Sequence, residues 1–261
     1  MSKPRKNITS MLHQFKSDGR KGLAVLLDPD NCDNRDQLAR QAKLCEQGGV
    51  DLVLIGGSIL TRGDADQVVK ELKRLTDIPL VLFPGNPSQL SASADAVLFL
   101  SLLSGRNPEF LIGHHVTAAP ILEGMDLEVI PTGYLLIDGG KSTAANYMSM
   151  SAPIPSDQPE IAAVTALAGA YLGLGCIYMD AGSGANYSIS EDMVRAVRRK
   201  VDLPLIIGGG IRDAETASAL CTAGADVIVI GTAFEQDPQV LTDISIAVHH
   251  QPKRQSLTDR G

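Results

Sequence analysis

An apolar run that ends abruptly on a carboxylate or on bare glycine backbone recurs along this chain, and three copies fall in its last third. They are Gly175-Cys-Ile-Tyr-Met-Asp180, followed by the small-residue stretch Gly182-Ser183-Gly184, then Leu205-Ile-Ile-Gly-Gly-Gly210 and Val227-Ile-Val-Ile-Gly-Thr232. Short continuous apolar runs with such stops read as strands of a parallel sheet buried on both faces. Five more precede them. Gly22 to Leu27 meets the turn Asp28-Pro29-Asp30, and Val50 to Ile55 is closed by Gly56-Gly57-Ser58. Pro79 to Phe83 is followed by Pro84-Gly85-Asn86-Pro87, and Ala94 to Leu100 gives a fourth strand. Leu127–Ile130 and Gly133–Ile137 bracket a fifth, bent at Pro131.

Helical spacing separates most of these runs. Leu38, Ala42 and Cys45 share one face, as do Val68, Leu72 and Leu75, and further helices are expected over 108–117, 159–174 and 237–250. Eight strands alternating with helices in 261 residues predict an α/β fold, a (β/α)8 TIM barrel in a single domain. Residues 1–20 and 251–261 read as polar terminal extensions, the first carrying one short helix over the barrel bottom. A doubly wound open sheet is the rival arrangement.

Charge and cysteine usage narrow the function classes. A formal net charge of −7 lacks the basic footprint of a nucleic-acid binder. The four cysteines (32, 45, 176 and 221) show no C-x-x-C spacing and read as free thiols of a reducing compartment. Neither a secretory signal nor a run long enough to span a bilayer is visible, so a cytoplasmic protein is expected. The 159–174 helix is apolar nearly all round, so its outer face either meets a second subunit, the favoured reading, or lines a groove for a lipid chain.

Barrel enzymes place their chemistry at the carboxyl ends of the strands. There, Gly208-Gly209-Gly210 and Gly231-Thr232 offer backbone N–H groups as an anion cradle, against the plainer reading of tight turns. Asp28 and Ser58 end neighbouring strands and present oxygen ligands suited to Mg²⁺, although Asp-Pro-Asp is more often a turn or a helix cap. Asp180 ends the sixth strand and could accept a proton, and Tyr178, two residues earlier, should point the same way or simply fill the interior. Gly140-Lys141-Ser142 does not complete a nucleotide P-loop, because Leu135 stands where glycine is needed; Lys141 is a loop cation or a solvated charge. His114 and His115 are adjacent and diverge on a helix, with no zinc motif around them.

These motifs together resemble the geranylgeranylglyceryl phosphate synthases, including the related bacterial heptaprenylglyceryl phosphate synthases. The resemblance covers residues 22 to 235 and rests on Leu27-Asp28-Pro29-Asp30, Gly56-Gly57-Ser58, Phe83-Pro84-Gly85-Asn86, Gly133-Tyr134, Gly140-Lys141-Ser142-Thr143, Tyr178 to Gly184, Gly208 to Arg212 and Gly231-Thr232. The Gly-Gly-Lys-Ser-Thr and Ala-Gly-Ser-Gly-Ala forms are similar to the family's second group, often dimers or hexamers.

It implies a Mg²⁺-dependent prenyltransferase of ether phospholipid biosynthesis, joining the prenyl group of geranylgeranyl diphosphate to the C3 hydroxyl of sn-glycerol 1-phosphate. Asp28 and Ser58 would hold the metal on the diphosphate. Tyr178, Met179, Asp180, Ala181, Gly182, Ser183 and Gly184, with Gly209, Gly210, Gly231 and Thr232, would bind the glycerol phosphate. Asp180 and Tyr178 are the catalytic candidates; the family commonly carries Glu where this chain has Asp180, one methylene shorter. A lipid-like product implies peripheral membrane contact. The alternatives are the same reaction with a longer prenyl diphosphate, a phosphosugar isomerase or lyase using the same loops with Lys141, and a non-catalytic flavin or phosphate-ligand module.

Overall fold

The computed structural model describes residues 7–32 and 34–251; the expected polar tail beyond 251 lies outside them. Eight parallel strands close on themselves in sequence order. They are β1 (Gly22–Leu27), β2 (Leu52–Ile55), β3 (Leu80–Leu82), β4 (Ala96–Leu102), β5 (Glu128–Leu136), β6 (Cys176–Asp180), β7 (Leu205–Gly208) and β8 (Val227–Ile230). Closure comes from β1 pairing with both β2 and β8, with Leu27 opposite Ile55 and Val25 opposite Ile230. The barrel, not the open sheet, is the fold.

Side-chain alternation divides the apolar residues into two layers. Ala24, Leu54, Val81, Leu98, Ile206 and Val229 fill the interior, while Val25, Val53, Leu82, Val97, Ile207 and Ile228 pack outward against helices. The ten α-helices among the described residues are α1 (Ile8–Ser17), α2 (Arg35–Gln47), α3 (Ala65–Leu75), α4 (His114–Glu123), α5 (Ala144–Ser149), α6 (Pro159–Tyr171), α7 (Glu191–Lys200), α8 (Ala214–Ala223), α9 (Thr232–Gln236) and α10 (Val240–His249).

The N-terminal stretch is more than a polar extension. Ile8, Leu12 and Phe15 of α1 are buried and belong to the interior cluster, so α1 plugs the lower mouth. Burial of such side chains contributes about 1.5–3 kcal/mol each. Glu128 at the start of β5 accepts the N–H groups of Ile8 (2.7 Å) and Thr9 (2.8 Å), two of the donors that a helix N-terminus leaves open.

The structure adds local detail to the sequence reading. Pro131 does not interrupt β5; its carbonyl still accepts the Gly175 N–H, at 2.7 Å. The polar segment after β5 contains the short helix α5, begun by a capping box between Thr143 and Asn146. Between β3 and β4 there is no α-helix, only the 3-10 turn Pro87–Gln89. Before α4 comes a π-helical turn, Glu109–Gly113.

Helix α6 fits its composition. Ala162, Ala163, Ala166 and Gly169 face inward, while Ile161, Val164 and Tyr171 are exposed, with Leu172 just past its end. All four cysteines are buried free thiols, and burial pushes the thiols of Cys45 and Cys221 up to about 12. No helix among the described residues is long and apolar enough to cross a membrane.

Candidate active site

The carboxyl ends of the strands surround a cavity of about 430 Å³. Asp28, Ser58, Tyr178, Asp180, Gly182, Ser183, Gly184, Gly209, Gly210, Gly231 and Thr232 all line it. Two residues of the anticipated set do not. Met179 faces the outer layer and is fully buried, as strand parity requires of the residue between Tyr178 and Asp180. Ala181 is also buried, and its N–H continues the ladder to the Gly208 carbonyl.

Asp180 stands at the centre. Its Oδ2 accepts the hydroxyl of Tyr134 at 2.7 Å, and its Oδ1 accepts the Gly182 N–H at 2.7 Å. Burial raises its pKa, and those two donors act against the rise. Tyr134 and Tyr178 are held well above the ordinary tyrosine range by burial and by the Asp180 charge, so both remain neutral. Tyr134 is the residue whose role the sequence did not reveal. Its signal was register: it lies opposite Tyr178 in the β5–β6 ladder, on the same inner face.

Around Asp180 the backbone supplies donors. No hydrogen bond among the described residues takes the N–H groups of Ser183, Gly184, Gly209, Gly210 or Thr232. The Ser183 and Thr232 hydroxyl oxygens are 3.4 Å apart, which closes the loop after β6 onto the start of α9. Gly209 needs its lack of a side chain. Its φ is +83°, and a Cβ there would stand 2.7 Å from Asp180 Oδ1 and from the Ala181 and Gly182 nitrogens. Arg212 ties the loops together by donating to the carbonyls of Ala185 (2.6 Å) and Asn186 (3.2 Å). The result is a concave, electropositive backbone surface for an anion.

Across the cavity, Asp28 and the loop after β2 meet. A Cβ on Gly57 would lie 3.1 Å from Asp28 Oδ1. Asp28 caps the 3-10 turn Pro29–Asn31 by accepting the Asp30 N–H, so the cap reading holds beside any ligand role. Asp30 pins the neighbouring loop, accepting the N–H groups of Thr61, Arg62 and Gly63 and the Thr61 hydroxyl. Those bonds hold its carboxyl well below the usual range. Burial raises the Asp28 pKa. Glu235, also on the cavity wall and unnoticed in the sequence, is raised by burial, against the amide of Asn31 at 3.3 Å.

Lys141 stays outside. It is exposed and does not line the cavity, although its Nζ would be 3.1 Å from a Cβ on Gly184.

A second, apolar cavity of about 100 Å³ opens beside the polar one. Leu90, the outward residues Val97 and Phe99 of β4, the π-helical turn and α4 line it, where a helix between β3 and β4 would otherwise pack. His114 and His115 face it, and the Nε2 of His115 lies 2.8 Å from the Leu100 carbonyl. Gly57, Ser58, Phe83, Tyr134 and Ala145 border both cavities. The site is one polar chamber with an apolar cavity on the other side of a shared wall.

The PcrB family profile matches residues 19–248. The geranylgeranylglyceryl phosphate synthase of Chitinophaga pinensis is 50% identical over 234 residues, covering 90% of this chain and 92% of the relative. That of Spirosoma linguale is 46% identical over 239 residues, covering 92% and 96%. Among solved structures, (S)-3-O-geranylgeranylglyceryl phosphate synthase from Thermoplasma acidophilum, in complex with its substrate sn-glycerol-1-phosphate, superposes with a TM-score of 0.86 at 35% identity, covering 94% of this chain and all of that one.

Proposed function

The chain belongs to the PcrB family, and we propose that it acts as a geranylgeranylglyceryl phosphate synthase, transferring the prenyl group of geranylgeranyl diphosphate to the C3 hydroxyl of sn-glycerol 1-phosphate with release of diphosphate. The observation that carries this reading is the wall that the two cavities share. A phosphate-accepting backbone cradle and a carboxylate stand in one, the other is apolar and suited to a prenyl chain, and five residues border both. A phosphosugar has no use for such an apolar cavity. Lys141, the lysine that the isomerase or lyase alternative would use, lies off the cavity wall.

The residues divide the work. The free N–H groups of Ser183, Gly184, Gly209, Gly210 and Thr232 hold the glycerol phosphate, fixing its free hydroxyl in place and supplying the orientation part of the rate enhancement. Asp180 accepts the proton of that hydroxyl as the ether bond forms. Tyr134 and the Gly182 N–H favour the ionised carboxylate against the effect of burial, and they aim it. The aspartate is held on both oxygens.

Asp28 and Ser58 fit a hard divalent cation. Both are oxygen donors lining the cavity, and a Cβ on Gly57, next to Ser58 in the chain, would lie 3.1 Å from Asp28 Oδ1. Mg²⁺ suits a site with few protein ligands because it retains waters and takes substrate phosphate oxygens. Bound there, it would neutralise charge developing on the departing diphosphate. We further propose a homo-oligomer, dimer or hexamer, in which a second copy covers Ile161, Val164 and Tyr171 of α6.

The test pairs prenyl diphosphates of graded length with each glycerol phosphate enantiomer, with Mg²⁺ or EDTA, followed by extraction of the lipid product. Product from sn-glycerol 1-phosphate, lost in EDTA, is expected; chain length is read from the best donor. No product with any pair overturns the reading.

A further inference from the structure

Three aromatic rings meet at the junction of the two cavities. Phe83 stacks on Tyr178 with centroids 4.8 Å apart and planes 15° from parallel. Tyr134 stands at an angle to both, at 5.8 Å from Phe83 and 5.7 Å from Tyr178. Tyr178 is 1% exposed and Tyr134 9%. Phe83 is half-buried, and it borders both cavities. The ring that meets a substrate at this junction is therefore Phe83, with Tyr178 as its backing.

Given the reaction proposed above, on which this inference rests, the reacting carbon must lie at the same junction. Its apolar chain extends into one chamber, and the glycerol hydroxyl waits in the other. We propose that Phe83 is a catalytic residue whose π-surface stabilises the positive charge that develops on the allylic carbon. The C1–O bond of the prenyl diphosphate breaks, and its electron pair leaves with diphosphate. The allylic carbons then share a positive charge, the glycerol C3 oxygen donates a pair to form the new C–O bond, and its proton passes to Asp180. Every atom and charge is accounted for by the two substrates and that carboxylate.

An aromatic ring has two advantages here. It attracts a cation through its quadrupole without being able to form a bond that would trap it, as a bare carboxylate at contact distance could. It also excludes water from the cation. The ground-state prenyl chain carries no charge at that carbon, so the attraction appears only in the transition state.

A ring that merely shapes the channel would be indifferent to its electronics. Residue 83 is therefore replaced by phenylalanine analogues carrying one, two and three ring fluorines, which weaken the quadrupole with little change of shape. The rate of the chemical step is measured by rapid-quench single turnover, so that slow product release cannot mask it. The expected result is a stepwise fall reaching about 10- to 30-fold for the trifluoro ring, with KM for both substrates little changed. Phe83→Leu, which keeps an apolar side chain, should lose a similar amount. A single-turnover rate that stays flat across the fluorine series, or a loss confined to KM, overturns the proposal. A wild-type chain that forms no product with any prenyl diphosphate would instead remove the reaction on which it rests.

Discussion

Tyr134→Phe isolates one hydrogen bond at the centre of the site. The hydroxyl donates to Asp180 Oδ2 at 2.7 Å, and the carboxylate's other oxygen is already committed to the Gly182 N–H. Removing it leaves a buried, charged oxygen with no protein donor. A hydrogen bond to a charged group contributes about 1.5–3 kcal/mol, and Asp180 keeps 8% exposure to a wet cavity, which places the expected loss near the lower end, about 1.5–2 kcal/mol. The sign with pH follows from linkage. Burial raises the folded-state pKa of Asp180, so the site destabilises the native state as pH rises through that value. Tyr134 lowers the pKa and so reduces this penalty, and its contribution is present while the carboxylate is ionised and fades as pH falls through the folded-state pKa. Urea unfolding of the two proteins should therefore show the full difference at neutral pH and little in acid. The acid limb of kcat/KM should move to higher pH in Tyr134→Phe, with the plateau rate changed by only a few fold. Equal destabilisation at both pH values together with an unmoved acid limb would refute the coupling between these residues.

Asp180→Asn should lower the rate by about 10²–10⁴-fold, the usual worth of a general base, while stability at neutral pH holds or rises, because a buried charge is gone. The amide oxygen can keep the Gly182 N–H and its NH₂ can donate to Tyr134, so circular dichroism melts and turnover should part company. Gly209→Ala should raise KM for glycerol phosphate at least tenfold: it combines a left-handed φ, costing about 1–2 kcal/mol, with a Cβ placed 2.7 Å from Asp180 Oδ1. Arg212→Lys removes the forked donor that braces the Ala185 and Asn186 carbonyls, so glycerol phosphate KM should rise several fold with kcat nearly kept. Asp28→Asn keeps an acceptor for the Asp30 N–H and so keeps the turn, but should raise the Mg²⁺ concentration needed for half-maximal rate.

Much of the site was legible because barrels put chemistry at strand ends, and strand ends here are marked by glycine or aspartate. Asp28, Ser58, Asp180 and the three glycine loops were all found that way, and all face one cavity. Parity along β6 would have excluded Met179, which was carried in only as part of a contiguous motif. The remainder depends on pairings that no local pattern encodes. Arg212 reaches back to carbonyls 26 and 27 residues earlier, and Tyr134 meets a carboxylate 46 residues away. The 3-10 turn Pro87–Gln89 between β3 and β4 was not legible, because so short a turn leaves no periodicity to read. Helix α1 was undervalued because its buried Ile8, Leu12 and Phe15 are diluted by polar neighbours, although their spacing is helical.

The burial of Asp180 is where fold and chemistry conflict most directly. A carboxylate only 8% exposed is costly, and an apolar residue at the end of β6 would give a more stable barrel. Among the described residues, two donors hold the charge there, Tyr134 and the Gly182 N–H, and the surrounding loop N–H groups stay open. Had those loop donors also turned to Asp180, its basicity would fall and the cradle would have none left for a phosphate. The division between donors spent on the carboxylate and donors kept for the ligand is what the positive φ of Gly209 makes possible, since it brings backbone to within contact of Asp180 without adding another bond to it. A base that is buried but sparingly solvated, beside a surface reserved for the anion that carries its proton donor, is what an alkylation that must exclude water requires.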